Sequence, residues 1–253
     1  RPCIDISGLY GVSMKSALPK HYPTLAGILY LLIIVFGLIA QIFVRDNLVD
    51  YGDAGITANR IMGSEFLFRF GFVSELMMLA CDVAVTMILY VMLRSVSAGL
   101  AMLSTFFRLV SISILGLTAL SHYAALQILG DAGYLKVFET GQLQALALLS
   151  IKLHGSGYNI SLFFFGFHLF FLGILIAKSG LFPRILGFLL QIGGPCYIVN
   201  SLVWFLFPTF VSTIYPAILL PCFIGELFLS LWLLIRGRKI LTALQPGLTS
   251  TGS

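Results

Sequence analysis

The chain has 253 residues, 59% of them hydrophobic and only 10% charged, with a mean hydropathy of +1.02 and a formal net charge of +5. A soluble domain of this length needs far more polar surface to cover itself, so the composition points to the lipid bilayer as solvent. No basic stripe interleaved with aromatics accompanies the positive charge, which argues against a nucleic-acid partner.

Residues 1–24 are mostly polar and read as an N-terminal tail. A helix needs about 20 mainly apolar residues to cross the hydrocarbon core, and six segments meet that test. They are 25–44, 70–93, 98–123, 159–177, 186–207 and 214–235. The first is too long for a cleaved signal segment and reads as a retained helix.

The second segment carries Glu75 and Asp82, seven residues apart and so on nearly one helical face. The third carries Ser104, Arg108, Ser111 and His122 along one stripe. The turn between these two spans centres near Val96. Asp82 precedes it by about 14 residues and Arg108 follows it by about 12, so at 1.5 Å per residue their depths match within about a turn. A buried Asp82–Arg108 pair is therefore expected, with the planar guanidinium holding the carboxylate.

Residues 143–153 are apolar but about half the length of a span, and read as an interfacial or partly inserted segment. His154-Gly155-Ser156-Gly157 lacks the G-x-S-x-G elbow of a serine hydrolase and reads as a flexible turn into the fourth span. That span places His168 near its centre with Ser161 on the same face, and its Gly173 and Ala177 permit close helix packing. The fifth aligns Tyr197, Asn200, Ser201 and Trp204, with Gln191 and Pro195 beside them. The sixth carries Glu226 between Cys222 and Ser230, with Pro216 and Pro221 expected to interrupt the helix upstream. Trp232 reads as an interface anchor ahead of a C-terminal tail, 236–253, that begins with Arg236, Arg238 and Lys239.

The fold class expected is all-α, a polytopic six-helix transmembrane bundle spanning 25–235 as one membrane domain. Six crossings put both termini on one side. That side collects nine of the 15 basic residues, most of them in short loops or near helix ends, so positive-inside logic makes it cytoplasmic. Two long loops on the other side, 45–69 and 130–158, have room for interfacial helices. The cysteines Cys3, Cys81, Cys196 and Cys222 form no C-x-x-C pair and read as small apolar side chains.

Ionisable groups at membrane depth cost several kcal/mol or more unless paired or wetted, which makes them functional candidates. The candidate ligand-binding or proton-relay set is Glu75, Asp82, Arg108, His168, Asn200 and Glu226. Three acids against one guanidinium leave an excess of negative charge, which a proton on His168 or on one acid would correct. The same groups would also serve to fix helix register. A metal site built from His122, His168, Asp82 and Glu226 is not expected, because no H-E-x-x-H or close His pair supports it and His122 lies nearer the boundary. No cofactor is expected.

Three functions stay open: a small-ligand or ion-binding protein, possible as a proton-coupled transporter and then expected as a homodimer; an intramembrane enzyme on a lipid, with His168 as base; and a non-catalytic subunit or assembly factor.

Several runs carry a family resemblance. They are Ser64-Glu65-Phe66-Leu67-Phe68-Arg69, Asp82 with Leu89-Tyr90, and Phe107-Arg108-Leu109-Val110. Further along stand Phe163-Phe164-Phe165-Gly166-Phe167-His168, Gly173, Ser179-Gly180-Leu181-Phe182-Pro183-Arg184-Ile185-Leu186-Gly187 and Leu231-Trp232-Leu233-Leu234. From about residue 21 to 237 the chain resembles a bacterial multi-pass membrane family known as domain of unknown function 4386. The resemblance implies six helices and a bacterial inner-membrane setting, and it implies no activity. Its motif residues include Asp82, Arg108 and His168.

Overall fold

The structure, a computed structural model, describes residues 21–210 and 217–244, with side chains as far as residue 237. The first 20 residues, the start of the sixth expected span with Pro216, and the end of the C-terminal tail lie outside the described residues.

Among the described residues every regular element is helical. Helix α1 (Tyr22–Leu38) widens into a π-helical stretch, Ile39–Arg45, and ends in a single turn, α2 (Asp46–Leu48). A short helix α3 (Ala54–Gly63) follows, its first turn capped by Asp53, whose carboxylate accepts from the Ile56 amide at 2.9 Å. Then come α4 (Glu65–Leu93), α5 (Ala98–Leu129), α6 (Thr140–Ser179), α7 (Arg184–Leu206) and α8 (Leu220–Leu244). Six of these helices are long and apolar enough to cross a membrane. Large apolar side chains such as Ile28, Val35, Phe106, Leu117 and Ile192 cover the outer surface, as lipid requires.

Three expectations are corrected. The segment 143–153 is no separate interfacial piece. It is the first part of the 40-residue helix α6, which begins at a capping box between Glu139 and Gln142. His154-Gly155-Ser156-Gly157 is likewise no turn but lies inside that helix. Pro221 does not interrupt the last helix, because α8 starts at Leu220 and the proline falls in the first turn, where its missing N–H costs no helical bond. The expected loop helix in 45–69 is present as α3.

Each span packs against the next, and α8 closes the ring by packing against both α7 and α1. Small residues set the closest approaches. A Cβ on Gly173 would lie 2.6 Å from the Gly187 carbonyl oxygen, and one on Gly27 would lie 2.5 Å from the Leu234 amide nitrogen. The first contact seats α6 on α7, as the small-residue spacing at Gly173 predicts, and the second seats α1 on α8. Gly180, with φ of 67°, ends α6 in the left-handed conformation and lets the chain reverse into α7 at Pro183.

The interior is layered. At the end nearer the chain termini an apolar cluster joins Ala26, Val85, Leu89, Leu172, Ile176 and Leu229. At the opposite end another joins Val44, Ile61, Phe68, Ala125 and Ile151. A thin apolar layer of Met78, Leu79, Ile112 and Leu115 lies between them. Polar side chains fill the two intervals that remain.

A buried polar centre joining six spans

The inner polar interval centres on Arg108, fully buried on α5. Its Nε donates to Asp82 Oδ1 on α4 at 2.5 Å, so the depth-matched pair expected between the second and third spans forms. Its Nη1 lies 3.0 Å from His168 Nε2 on α6. A guanidinium has donors only, so His168 Nε2 must offer its lone pair and the proton sits on Nδ1. This assignment rests on the bonding network. It agrees with the rest of the ring's surroundings: Nδ1–H donates to the Ser104 carbonyl at 3.0 Å, while the Ser104 hydroxyl donates to the His168 carbonyl at 3.1 Å.

Arg108 also lies over two aromatic faces, Tyr30 of α1 at 5.1 Å and Phe165 of α6 at 5.4 Å. Such stacking stabilises a desolvated guanidinium by up to about 2 kcal/mol per ring. Tyr30 carries the network onward, its hydroxyl donating to Glu226 Oε2 on α8 at 3.2 Å. Tyr197 of α7 donates to the other oxygen, Oε1, at 2.8 Å. Every span thus contributes one side chain: Tyr30, Asp82, Arg108, His168, Tyr197 and Glu226. Counted from the same end of its apolar span, which for the last helix closes at Gly237, each sits roughly 8 to 13 residues in, about 12–20 Å, near the middle of a hydrocarbon core about 30 Å thick. Two carboxylates meet one guanidinium here. A pocket of about 10 Å³ adjoins the centre between Thr86, Ser104 and His168, room for about one water molecule.

The other two members of the candidate set lie elsewhere. Glu75 shares a helical face with Asp82 but is about 10 Å further along α4, beyond the thin apolar layer. There it accepts from His154 Nε2 at 2.8 and 3.1 Å and pairs with Arg45 Nη1 at 3.8 Å. His122 stands beside them, its ring 5.5 Å from that of His154. Asn200 instead donates to Asn159 Oδ1 at 3.1 Å, so the one-cavity set of the sequence splits into two groups and an amide pair. Between the two groups the hydroxyls of Ser111 and Ser161 face each other at 2.8 Å. Trp204, aligned with Tyr197 in the sequence, is instead partly exposed at 37%.

Four functional candidates were missed by sequence reasoning. Tyr30 and Tyr197 differ only in degree: Tyr197 was placed on a polar face without a partner, whereas Tyr30 was hidden because tyrosine reads as apolar in a span. The depth count that pairs Asp82 with Arg108 does not reach Tyr30, because no short turn joins α1 to the helices it packs against. Arg45 was counted among loop cations but is buried at 5% exposure, turned inward by the π-helical stretch and held through Nε by Gln41 at 2.9 Å. His154 was read as part of a turn, yet it is 2% exposed.

Residues 25–237 match the family model for domain of unknown function DUF4386. A protein of Archaeoglobus fulgidus, described as an uncharacterized protein, is 31% identical over 173 residues, covering 68% of this chain and 86% of its own length. No solved structure matches.

Proposed function

The chain belongs to the DUF4386 family, a membrane-type helical bundle, and we propose that it exchanges a proton at the centre built around Arg108 and couples that exchange to a small molecule or ion. One observation carries the reading: side chains from all six spans meet at one depth with two carboxylates against a single guanidinium. With both acids ionised the centre holds one uncompensated negative charge in a region where such a charge costs several kcal/mol. One proton neutralises it. A proton also needs no wide passage, which fits a centre whose groups bond directly to one another beside room for about one water.

The proton's place on this reading is Glu226, because Asp82 is already matched by Arg108 while Glu226 receives only two neutral phenol donors. Loss of that proton strengthens both tyrosine bonds and draws Arg108, through Tyr30, towards Glu226 and away from Asp82. Six helices in a closed ring would then shift together. In this account the termini face the cytoplasm of a bacterial inner membrane, following the basic residues, and the chain works as a homodimer.

The lipid-enzyme reading has less support. A general base needs a free lone pair, and His168 spends Nε2 on Arg108 and Nδ1–H on Ser104. A purely structural centre is the competing outcome. Proteoliposomes with a trapped pH dye and an inward-negative potassium diffusion potential separate the two. Proton entry faster than in protein-free vesicles, and lost in Glu226→Gln, supports the proposal. Entry at the protein-free rate in every sample refutes proton passage.

A further inference from the structure

The second polar group, in the half of the bundle away from the termini, has no part in the proton reading. Glu75 on α4, His122 on α5 and His154 on α6 are 1–2% exposed, and one ligand atom from each lies within 4.8 Å of the others. We propose that these three side chains bind a divalent metal ion, with Zn²⁺ the best match to two imidazoles and one carboxylate.

The donor set and its spacing suit such an ion. Zn–N and Zn–O bonds of about 2.0–2.2 Å place tetrahedral donors about 3.4 Å apart, so Glu75 and His154, now at 2.8 Å, would part slightly and no pair of donors need close by more than about 1.4 Å. His122 Nε2 lies 3.3 Å from the Phe68 carbonyl. Bound through Nδ1, His122 would donate Nε2–H to that carbonyl, the support that metal-bound imidazoles usually have. Oε1 is the carboxylate oxygen nearer His154 Nε2, at 2.8 Å against 3.1 Å for Oε2, and Oε2 also faces Arg45 Nη1 at 3.8 Å. Glu75 would therefore ligate through Oε1 alone.

Arg45 supplies the independent observation. Its guanidinium is buried, Gln41 takes its Nε, and its Nη1 makes no hydrogen bond among the described residues. Its ion pair with Glu75 is long, at 3.8 Å, and a buried donor without a hydrogen bond is costly. Three protein ligands leave a fourth position on the metal, and an oxygen anion there would give Nη1 its partner while offsetting the combined charge. The ligand class expected at that position is a small oxyanion or the anionic oxygen of a larger molecule.

The test uses full-length protein freed of any histidine tag and purified without chelator. After equilibration with Zn²⁺ and gel filtration, about one zinc per chain is expected by elemental analysis. Glu75→Gln and His154→Gln should fall to the blank, whereas His168→Gln should keep its zinc. Zinc absent from the wild type, or retained equally by both variants, overturns the proposal. Should the variants fail to fold, Co²⁺ in the wild type decides. Intense four-coordinate visible bands support the site; a weak six-coordinate spectrum or no bound cobalt overturns it. Either result leaves the proton reading at Glu226 untouched.

Discussion

Breaking the Asp82–Arg108 pair should be among the costliest single changes in the protein. Arg108→Leu removes the donor to Asp82 Oδ1, the donor to His168 Nε2 and the cation stacked on Tyr30 and Phe165. What remains is a buried carboxylate without its counter-ion, a loss of about 3–5 kcal/mol. Asp82→Asn keeps the shape and one acceptor oxygen but removes the bonded carboxylate, about 3 kcal/mol, the low end of the same range because Glu226 can still ionise nearby. In the double variant neither charge remains to be stranded. It should therefore be more stable than the sum of the single losses predicts, by about 2 kcal/mol. Reversible unfolding in mixed detergent–SDS micelles, followed by the fluorescence of Trp204 and Trp232, measures all three. Losses that add within about 0.5 kcal/mol would refute the pairing as an energetic unit.

Two further outcomes follow from single contacts. Tyr197→Phe deletes the 2.8 Å bond to Glu226 and should cost about 1–3 kcal/mol in the same unfolding assay if Glu226 is ionised, but nearer 1 kcal/mol if it is protonated. Gly27→Val forces a side chain into the Leu234 backbone and should lower stability by about 1–3 kcal/mol or open the α1–α8 seam; Gly63→Ala, with nothing within 4 Å of its added methyl, is the neutral control.

The spans were legible because hydropathy over about 20 residues is the strongest signal a membrane chain carries. The Asp82–Arg108 pair was legible because a short turn fixes the relative depth of two neighbouring helices. The continuity of α6 was not. Lys152, His154, Gly155 and Gly157 break the apolar run, and three of them have a local reason that only packing reveals. Lys152 is exposed, His154 is matched by Glu75 of another helix, and Gly157 leaves room for Thr118. Arg45 was misread for a related cause. A π-helical stretch changes which side chains face inward, and no residue pattern in Ile39–Arg45 announces it. Glu75 and Asp82 share a face, but a face runs the length of a helix. The sequence could not say that Met78 and Leu79, with Ile112 and Leu115, would part them into separate groups.

The central claim, that the centre around Arg108 gains and loses a proton, is tested most directly by infrared difference spectroscopy between acidic and alkaline buffers. The account predicts a protonated-carboxyl band that appears at low pH, shifts in D₂O, persists in Glu75→Gln and is missing from Glu226→Gln. A wild-type spectrum without any such band, or one unchanged in Glu226→Gln, would contradict it.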